Sequence, residues 1–169
     1  MDGRIERGDR SRKAVAAHAA AIASVDGLSG MTFSRLAEGL RVSKSSIQSA
    51  YATKEAVQLA AIAAASEIFT SAEVVPAFEV PEGRSRLQSL IDGWLAYVEG
   101  RVLPGGCVMS ATFSEFDSHP GPVRDALGRM RRGWPRVLAQ QIAVAPAACC
   151  IRTSPTAPLL ASAAHPPAS

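Results

Sequence analysis

Aromatic residues and cysteines are scarce in this chain, and their scarcity excludes several classes of protein. Phe, Trp and Tyr make up 5% of the 169 residues, and few β-branched runs occur, which argues against a large β-sheet. The cysteines Cys107, Cys149 and Cys150 form no C-x-x-C pair and no Cys/His cluster, so the sequence predicts no zinc site. We interpret Cys107 as a small buried apolar residue in preference to a thiol sensor.

Motifs for catalysis and for nucleotide binding are also absent. The chain contains neither G-x-x-x-x-G-K-[ST] nor G-x-G-x-x-G. Its histidines, His18, His119 and His165, stand in unrelated contexts, and Ser/His/Asp combinations occur only at chance spacing. The sequence therefore predicts no enzyme, no catalytic residue, no metal site and no cofactor.

Long apolar runs and a secretory leader are missing as well. No uninterrupted apolar stretch approaches the about 20 residues that a membrane span needs. The N-terminus begins with Asp, Arg and Glu rather than with a basic segment followed by an apolar one. We therefore predict a cytoplasmic protein with no membrane partner.

The positive charge of the chain is concentrated near its N-terminus. The formal net charge is +3; residues 1–55 carry nine Lys or Arg and six Asp or Glu, whereas residues 56–169 carry nine of each. An excess of positive charge confined to one module is expected of a surface that binds phosphate groups.

The most informative stretch is Met31 to Glu55, which contains two short amphipathic segments. Leu36 and Leu40 recur at helical spacing in the first, and Ile47 and Tyr51 lie four residues apart in the second. Two short helices joined by a few residues make a helix-turn-helix, whose second helix enters the major groove of DNA.

Hydroxyl residues mark the start of both segments. Thr32 and Ser43 stand where a helix N-cap would stand. The second segment then presents a polar outer face made of Lys44, Ser45, Ser46, Gln48 and Ser49. Such groups can hydrogen-bond phosphates and base edges, so the pattern favours a DNA-reading helix over a solvated polar helix packed on a neighbour.

The run RLAEGLRVSKSSIQSAYATKEAVQLA resembles the signature of the TetR family of bacterial transcriptional regulators. The matches are Leu36-Ala37, Val42-Ser43-Lys44, Ile47, Tyr51 and Lys54-Glu55. The resemblance implies an all-α protein in which a three-helix helix-turn-helix DNA-binding domain, residues 1–55, precedes a helical ligand-sensing domain, residues 56–142. It also implies a phosphate contact for Lys54. The candidate DNA-binding residues are Thr32, Arg35, Ser43, Lys44, Ser45, Ser46, Gln48, Ser49, Tyr51 and Lys54.

Three positions depart from the family pattern. Arg41 stands where the turn usually has Gly, and a left-handed backbone is strained for a residue with a Cβ. Gln48 and Ala50 replace an aromatic residue and a His that often contact DNA in the family.

Apolar periodicity predicts further helices on both sides of this stretch. We expect residues 1–9 to be frayed and the first helix to open at Arg10. After Lys54 we expect a connector helix, a short helix over Cys107–Phe116, and a long helix that Pro135 kinks. The segment from Gly105 to Trp134 resembles part of the TetR regulatory domain, which implies an inducer pocket. Its candidate lining residues are Trp94, Tyr97, Met109, Phe113, Phe116, Met130 and Trp134; the alternative is that these residues only form a helical core.

The sequence changes character near Gln141. Residues 143–169 contain one charged residue, Arg152, and five prolines, so they predict no long helix. The family dimerises through two further long helices, which are missing here. We interpret the end as frameshifted or otherwise replaced, which leaves the regulatory domain truncated; the alternative is a native disordered tail.

The predicted function is a DNA-binding repressor that a small, apolar ligand releases from its operator. The expected partners are double-stranded operator DNA, the ligand and a second copy of the chain. Two alternatives stay open: a truncated regulator that cannot dimerise, and a helical ligand-binding protein with a vestigial DNA module.

Overall fold

The computed structural model describes residues 2–100, 102–112 and 114–144, and every regular element in these ranges is helical, which confirms the all-α prediction. The elements are α1 (Asp2–Asp26), α2 (Phe33–Leu40), α3 (Lys44–Ala50), α4 (Lys54–Phe69), a π-helical segment (Thr70–Val74), α5 (Val75–Phe78), α6 (Arg84–Glu99), α7 (Val108–Thr112) and α8 (Pro122–Val144). The predicted tail lies outside the described residues from position 145 onward.

Two helix predictions need correction. α1 begins at Asp2 rather than Arg10, because extending an existing helix by a turn costs far less than nucleating one. The helix predicted over Cys107–Phe116 is only α7, since the chain turns after Thr112. Pro135 lies inside the long helix α8, and the kink there stays a prediction.

The core is built around α1 and α4, which share the largest contact between any two described elements. Ala19 and Ala23 of α1 and Ala61 and Ala65 of α4 are all completely or almost completely buried. Their small side chains allow the two backbones to approach closely, and a larger side chain at any of them would push the helices apart. The predicted division between residues 55 and 56 falls inside α4, which shares its core with α1.

The helix-turn-helix is fastened to this pair by larger apolar side chains. Leu28, Met31, Leu36 and Ile47 are each at most 1% exposed and belong to the same hydrophobic cluster as the alanines. Truncating one of them to alanine would cost about 2–5 kcal/mol. α2 and α3 are therefore held in a fixed position relative to α1 and α4.

The loop between α1 and α2 is held by side chains from distant parts of the chain. The Leu28 amide donates to Glu115 Oε2 (2.7 Å), and the Leu28 carbonyl accepts from Gln58 Nε2 (3.0 Å). Gly27 has φ +70°, and a Cβ there would collide with the Glu115 carboxylate. The position therefore requires glycine both for its backbone conformation and for the space it leaves.

α4, the π-helical segment and α5 form one continuous helix from Lys54 to Phe78. Pro76 has no amide hydrogen and its ring would press on the preceding turn, and the wider π turn before it relieves that crowding. The widening also turns the Glu73 carboxylate inward against Gly93 of α6, where a Cβ would collide with it. Burial raises the pKa of Glu73.

The same continuous helix corrects the statement that no stretch approaches the length of a membrane span. Its 25 residues are long and apolar enough to cross a bilayer by length and composition alone. Core helices meet that criterion too; here Val57, Ala61 and Ile62 face the hydrophobic cluster, and 22% of the apolar window is buried.

The turn between α2 and α3 has the left-handed residue that the sequence analysis expected. Arg41 has φ 55° and ψ 41°. Its amide donates to the Glu38 carbonyl (3.1 Å) and the Val42 amide donates to the Ala37 carbonyl (3.0 Å), which is the Schellman arrangement that ends a helix. The turn adopts this geometry although the Cβ of arginine makes the left-handed conformation less favourable than it would be for glycine.

Replacing Arg41 by glycine should therefore stabilise the protein. We expect Arg41→Gly to raise the free energy of unfolding by about 1 kcal/mol, because the left-handed conformation loses its Cβ clash. Urea denaturation followed by circular dichroism measures the change. Arg41→Ala is the matched control, since it removes the guanidinium but keeps the Cβ; equal stabilisation by both variants would contradict the conformational explanation.

Candidate functional site

Two side-chain caps define the start of α2 and of α3. Thr32 Oγ1 accepts a hydrogen bond from the Arg35 amide (3.2 Å), and Ser43 Oγ accepts one from the Ser46 amide (3.1 Å). Each cap satisfies a backbone donor that the first turn of a helix leaves unpaired. The caps lie where the sequence analysis placed them.

The outer face of α3 is polar and open to solvent, while its inner face holds a single apolar anchor. Lys44, Gln48 and Ser49 are exposed, whereas Ile47 is 1% exposed. The hydroxyl of Ser43 also lies 2.9 Å from that of Ser45 and 2.7 Å from that of Ser46. Some hydrogen-bonding capacity of the serines is therefore used within the cap, and the Lys44 ammonium and the Gln48 amide are the most available groups.

A shallow cavity of about 240 Å³ joins the starts of α2, α3 and α4. Thr32, Ser34, Lys44 and Lys54 line it together with apolar residues. Lys54 Nζ donates to the carbonyl of Ser29 (2.8 Å), and an ammonium has three donors. Lys44 and Lys54 thus line one concave surface, most of whose exposed area comes from apolar atoms.

Two further predicted DNA-binding side chains, Tyr51 and Arg35, also make contacts within the protein. The Tyr51 hydroxyl donates to the backbone carbonyl of Arg12 in α1 (3.1 Å), and Arg35 forms an ion pair with Asp26. Burial raises the pKa of Tyr51, while the positive charge of Arg12 opposes the rise. In this geometry Tyr51 braces the end of α3 against α1, and its role at DNA stays a prediction.

A second site lies in the C-terminal half, in a cavity of about 180 Å³ between α4, the π-helical segment, α6, α7 and α8. We call it the aromatic cavity. Five of the seven candidate pocket residues line it: Trp94, Tyr97, Met109, Met130 and Trp134. Phe69 and Val74, which were not among the candidates, line it from the connector helix. The four-residue spacing of Phe69 after Ala65 was an available signal, whereas Val74 follows five residues later across the π-helical segment.

Edge-to-face aromatic contacts shape the wall of this cavity. The Phe69 ring lies 5.2 Å from the Tyr97 ring and 5.1 Å from the Trp134 ring, centroid to centroid, with an angle of 87° between the planes in both pairs. Such pairs are worth about 0.5–1.5 kcal/mol each beyond the burial of area. Phe69 thus links α4 to α6 and α8 and fixes the shape of the cavity.

The remaining two candidates do not line the aromatic cavity. Phe113 lies outside the described residues. Phe116 lines a neighbouring cleft of about 390 Å³, which we call the arginine cleft. It lies there because α7 ends at Thr112, so that a turn and not a continued helix places Phe116. The arginine cleft is lined by Met109, Thr112, Phe116, Asp117, Arg124, Asp125, Leu127, Gly128, Arg129, Arg131 and Arg132. Within the described ranges no group of three His, Cys, Asp or Glu residues is placed to hold a metal ion.

Comparison with known proteins gives a family match and a shared fold. The family model "Tetracyclin repressor-like, C-terminal domain" matches residues 83–164, from just before α6 to beyond the last described residue. A solved structure with a TM-score of 0.73 is that of a TetR transcriptional regulator from Chloroflexus aurantiacus J-10-FL; it is 24% identical and the match covers 82% of this chain and 70% of that one. None of the curated proteins matches the chain.

Tyr97 gives the aromatic cavity a spectroscopic marker. Burial, together with the negative charges that Cys107 and Glu73 carry when ionised, raises the pKa of Tyr97 to about 12. Because the unfolded phenol ionises near pH 10, this residue's contribution to stability is present below pH 10 and is lost as the pH rises toward 12.

We therefore expect titration of tyrosine absorbance at 295 nm to show a step near pH 12 that Tyr97→Phe removes. The chain has two tyrosines, so the remaining step in the variant belongs to Tyr51. Tyr51→Phe is the control and should leave the higher step in place. A variant Tyr97→Phe that still shows the higher step would contradict the assignment.

Proposed function

We propose that this chain is a DNA-binding transcriptional regulator of the TetR family, which its C-terminal domain match and its fold support. The observation that carries the proposal is the outer face of α3. It exposes Lys44, Gln48 and Ser49 on a short helix that Ile47 anchors to the core. A rigidly held polar helix of this kind can lie in the major groove with its side chains toward base edges.

The concave surface beside α3 supports a phosphate contact. Lys44 and Lys54 lie on the same cavity as Thr32 and Ser34, at the N-terminal ends of α2, α3 and α4. The exposed amides at helix N-termini and the two ammonium groups attract negative charge together. We propose that a backbone phosphate of the duplex occupies this surface while α3 enters the adjacent groove.

The path for ligand control runs through Glu115. Met109 of α7 lines the aromatic cavity, and the chain leaving α7 reaches Glu115, which accepts hydrogen bonds from the Leu28 amide (2.7 Å) and the Ser29 amide (3.3 Å). A ligand that shifts α7 would pull on the loop between α1 and α2. We propose that the protein is a repressor and that a ligand favours the conformation with the weaker DNA affinity.

The proposal includes a homodimer, which is what the family implies. Apolar side chains for such a contact are exposed on α6 and on the end of α8, where Leu95 is 45% and Ile142 is 60% exposed. Two linked DNA-binding helices would gain affinity because binding of the first raises the effective concentration of the second.

Lys44→Gln should weaken binding to DNA through the loss of a phosphate contact. We expect about a 5–10-fold loss of affinity at moderate salt, and a slope of log affinity against log salt that is smaller by about 1. Fluorescence anisotropy with a labelled duplex from the region upstream of the coding sequence, over a salt series, measures both quantities.

Two further variants distinguish the contribution of charge to DNA affinity from that of base recognition. Arg84→Gln makes the same change of charge at an exposed position of α6 and should leave both quantities unchanged. Gln48→Ala should reduce the preference for the upstream duplex over a scrambled one without changing the salt slope. If the unmodified protein shows no salt-dependent binding, the ligand-binding protein with a vestigial DNA module is the better account.

The oligomeric state distinguishes a working regulator from a truncated one. Light scattering coupled to size-exclusion chromatography should give twice the chain mass of 17.7 kDa. A dimer exposes less apolar surface than two separate chains, which is why we expect it to be the soluble form. A monomer or a broad aggregate peak would favour the truncated regulator that cannot pair its DNA-binding helices.

A further inference from the structure

The aromatic cavity and the arginine cleft are neighbours that share a wall. Met109 lines both of them, and α8 separates them along its length. Met130, Gly133, Trp134 and Val137 recur at three and four residues and line the aromatic cavity. Gly128 and Arg132, one turn apart, line the cleft. A ligand of sufficient length that displaces the Met109 side chain would therefore reach both spaces.

The two spaces differ sharply in charge. Every described residue that lines the aromatic cavity is uncharged if Cys107 is counted as a thiol. The arginine cleft is lined by four arginines and two aspartates, an excess of two positive charges. A molecule that fits both would need an apolar part for one and a negatively charged part for the other.

The geometry around Gly128 points one guanidinium into the cleft. A Cβ at Gly128 would lie 3.3 Å from a terminal nitrogen of Arg132, so the Arg132 side chain folds back over this position by one turn. Arg124 and Arg132 both line the cleft, on either side of Gly128 in the sequence of α8. The planar fork of an arginine side chain matches the geometry of a carboxylate or a phosphate.

A carboxylate lies close to the aromatic cavity without lining it. Thr70 and Val74 line the cavity, and Glu73 of the same π turn acts electrostatically on Tyr97, another lining residue. A negatively charged group is therefore better placed in the arginine cleft, beyond Met109, than in the aromatic cavity. Methionine is unbranched and flexible, so it is well suited to act as a displaceable wall between the two spaces.

From these observations we propose that the ligand is an amphipathic anion whose apolar body lies in the aromatic cavity and whose carboxylate or phosphate binds Arg124 and Arg132. This inference rests on the ligand control that we propose above and changes the expected ligand from a neutral apolar molecule to a charged one. It assigns the arginines on this face of α8 to the ligand rather than to DNA.

Three ten-carbon probes that differ in their head group test the charge. Both tryptophans of the chain, Trp94 and Trp134, line the aromatic cavity, so quenching of intrinsic fluorescence reports its occupation in the full chain. We expect decanoate to bind at least tenfold more tightly than decanol, and decyltrimethylammonium to bind most weakly. Adding monodecyl phosphate then distinguishes a preference for carboxylate from one for phosphate.

Matched arginine variants test the location of the head group. Arg132→Gln should lower the affinity for decanoate about tenfold, the loss of a charge-assisted hydrogen bond, and leave that for decanol unchanged. Arg136→Gln removes the same charge from an exposed position of α8 outside the cleft and should change neither. Arg124→Gln provides a second variant if Arg132→Gln does not fold, as judged by circular dichroism.

Other outcomes would overturn the inference, and they differ from a failure of the proposed function. Equal binding of decanol and decanoate, or tightest binding of the cation, would leave a ligand cavity without the anion site. If no probe bound, the proposed control by a ligand would be contradicted as well. Loss of DNA affinity in Arg132→Gln without ligand would assign the cleft to DNA. Loss of DNA binding in Lys44→Gln concerns only α3 and leaves this inference unaffected.

Discussion

Close packing of alanine against alanine between α1 and α4 is the constraint on which the rest of the molecule depends. Ala19, Ala23, Ala61 and Ala65 have no side-chain rotamers, so the contact between these helices has one geometry. α1 supports the end of α3 through the bond between Tyr51 and the carbonyl of Arg12. α4 carries Lys54 at one end and Phe69 at the other, and it therefore relates the candidate DNA-binding surface to the aromatic cavity as a rigid spacer.

The loop between α1 and α2 is held by polar contacts, in addition to the apolar contact between α1 and α4. Glu115 accepts from the Leu28 amide and Gln58 donates to the Leu28 carbonyl, so both backbone groups of one residue are bound by side chains from elsewhere. Hydrogen bonds to a charged group contribute about 1.5–3 kcal/mol each, and an unpaired buried partner would cost a similar amount. The connection is thus strong enough to hold the loop.

Features that depend on neighbouring residues could be predicted from the sequence. The caps at Thr32 and Ser43 are local, and so is the left-handed residue Arg41, because each is decided within a few positions of the chain. The periodicity of α8 likewise brought Met130 and Trp134 to one face.

Features that depend on residues far apart in the chain could not be predicted in this way. Glu115 meets Leu28 across 87 positions, and no local pattern indicates that contact. Phe116 has the spacing of a helix that ends before reaching it, so it lies in the arginine cleft and not in the aromatic cavity. The role of Phe69 in the cavity depends on the packing of three helices, which a single amphipathic pattern cannot specify.

The π-helical segment from Thr70 to Val74 has a consequence for the register of the chain. A residue advances an α-helix by about 100°, so one extra residue in a turn rotates everything after it by that angle. Phe69, before the segment, contacts both α6 and α8, and Glu73, within it, lies against Gly93 of α6. A related chain with a regular α-helix here would be one residue shorter before Pro76, and an alignment that ignores the difference would pair residues from opposite faces.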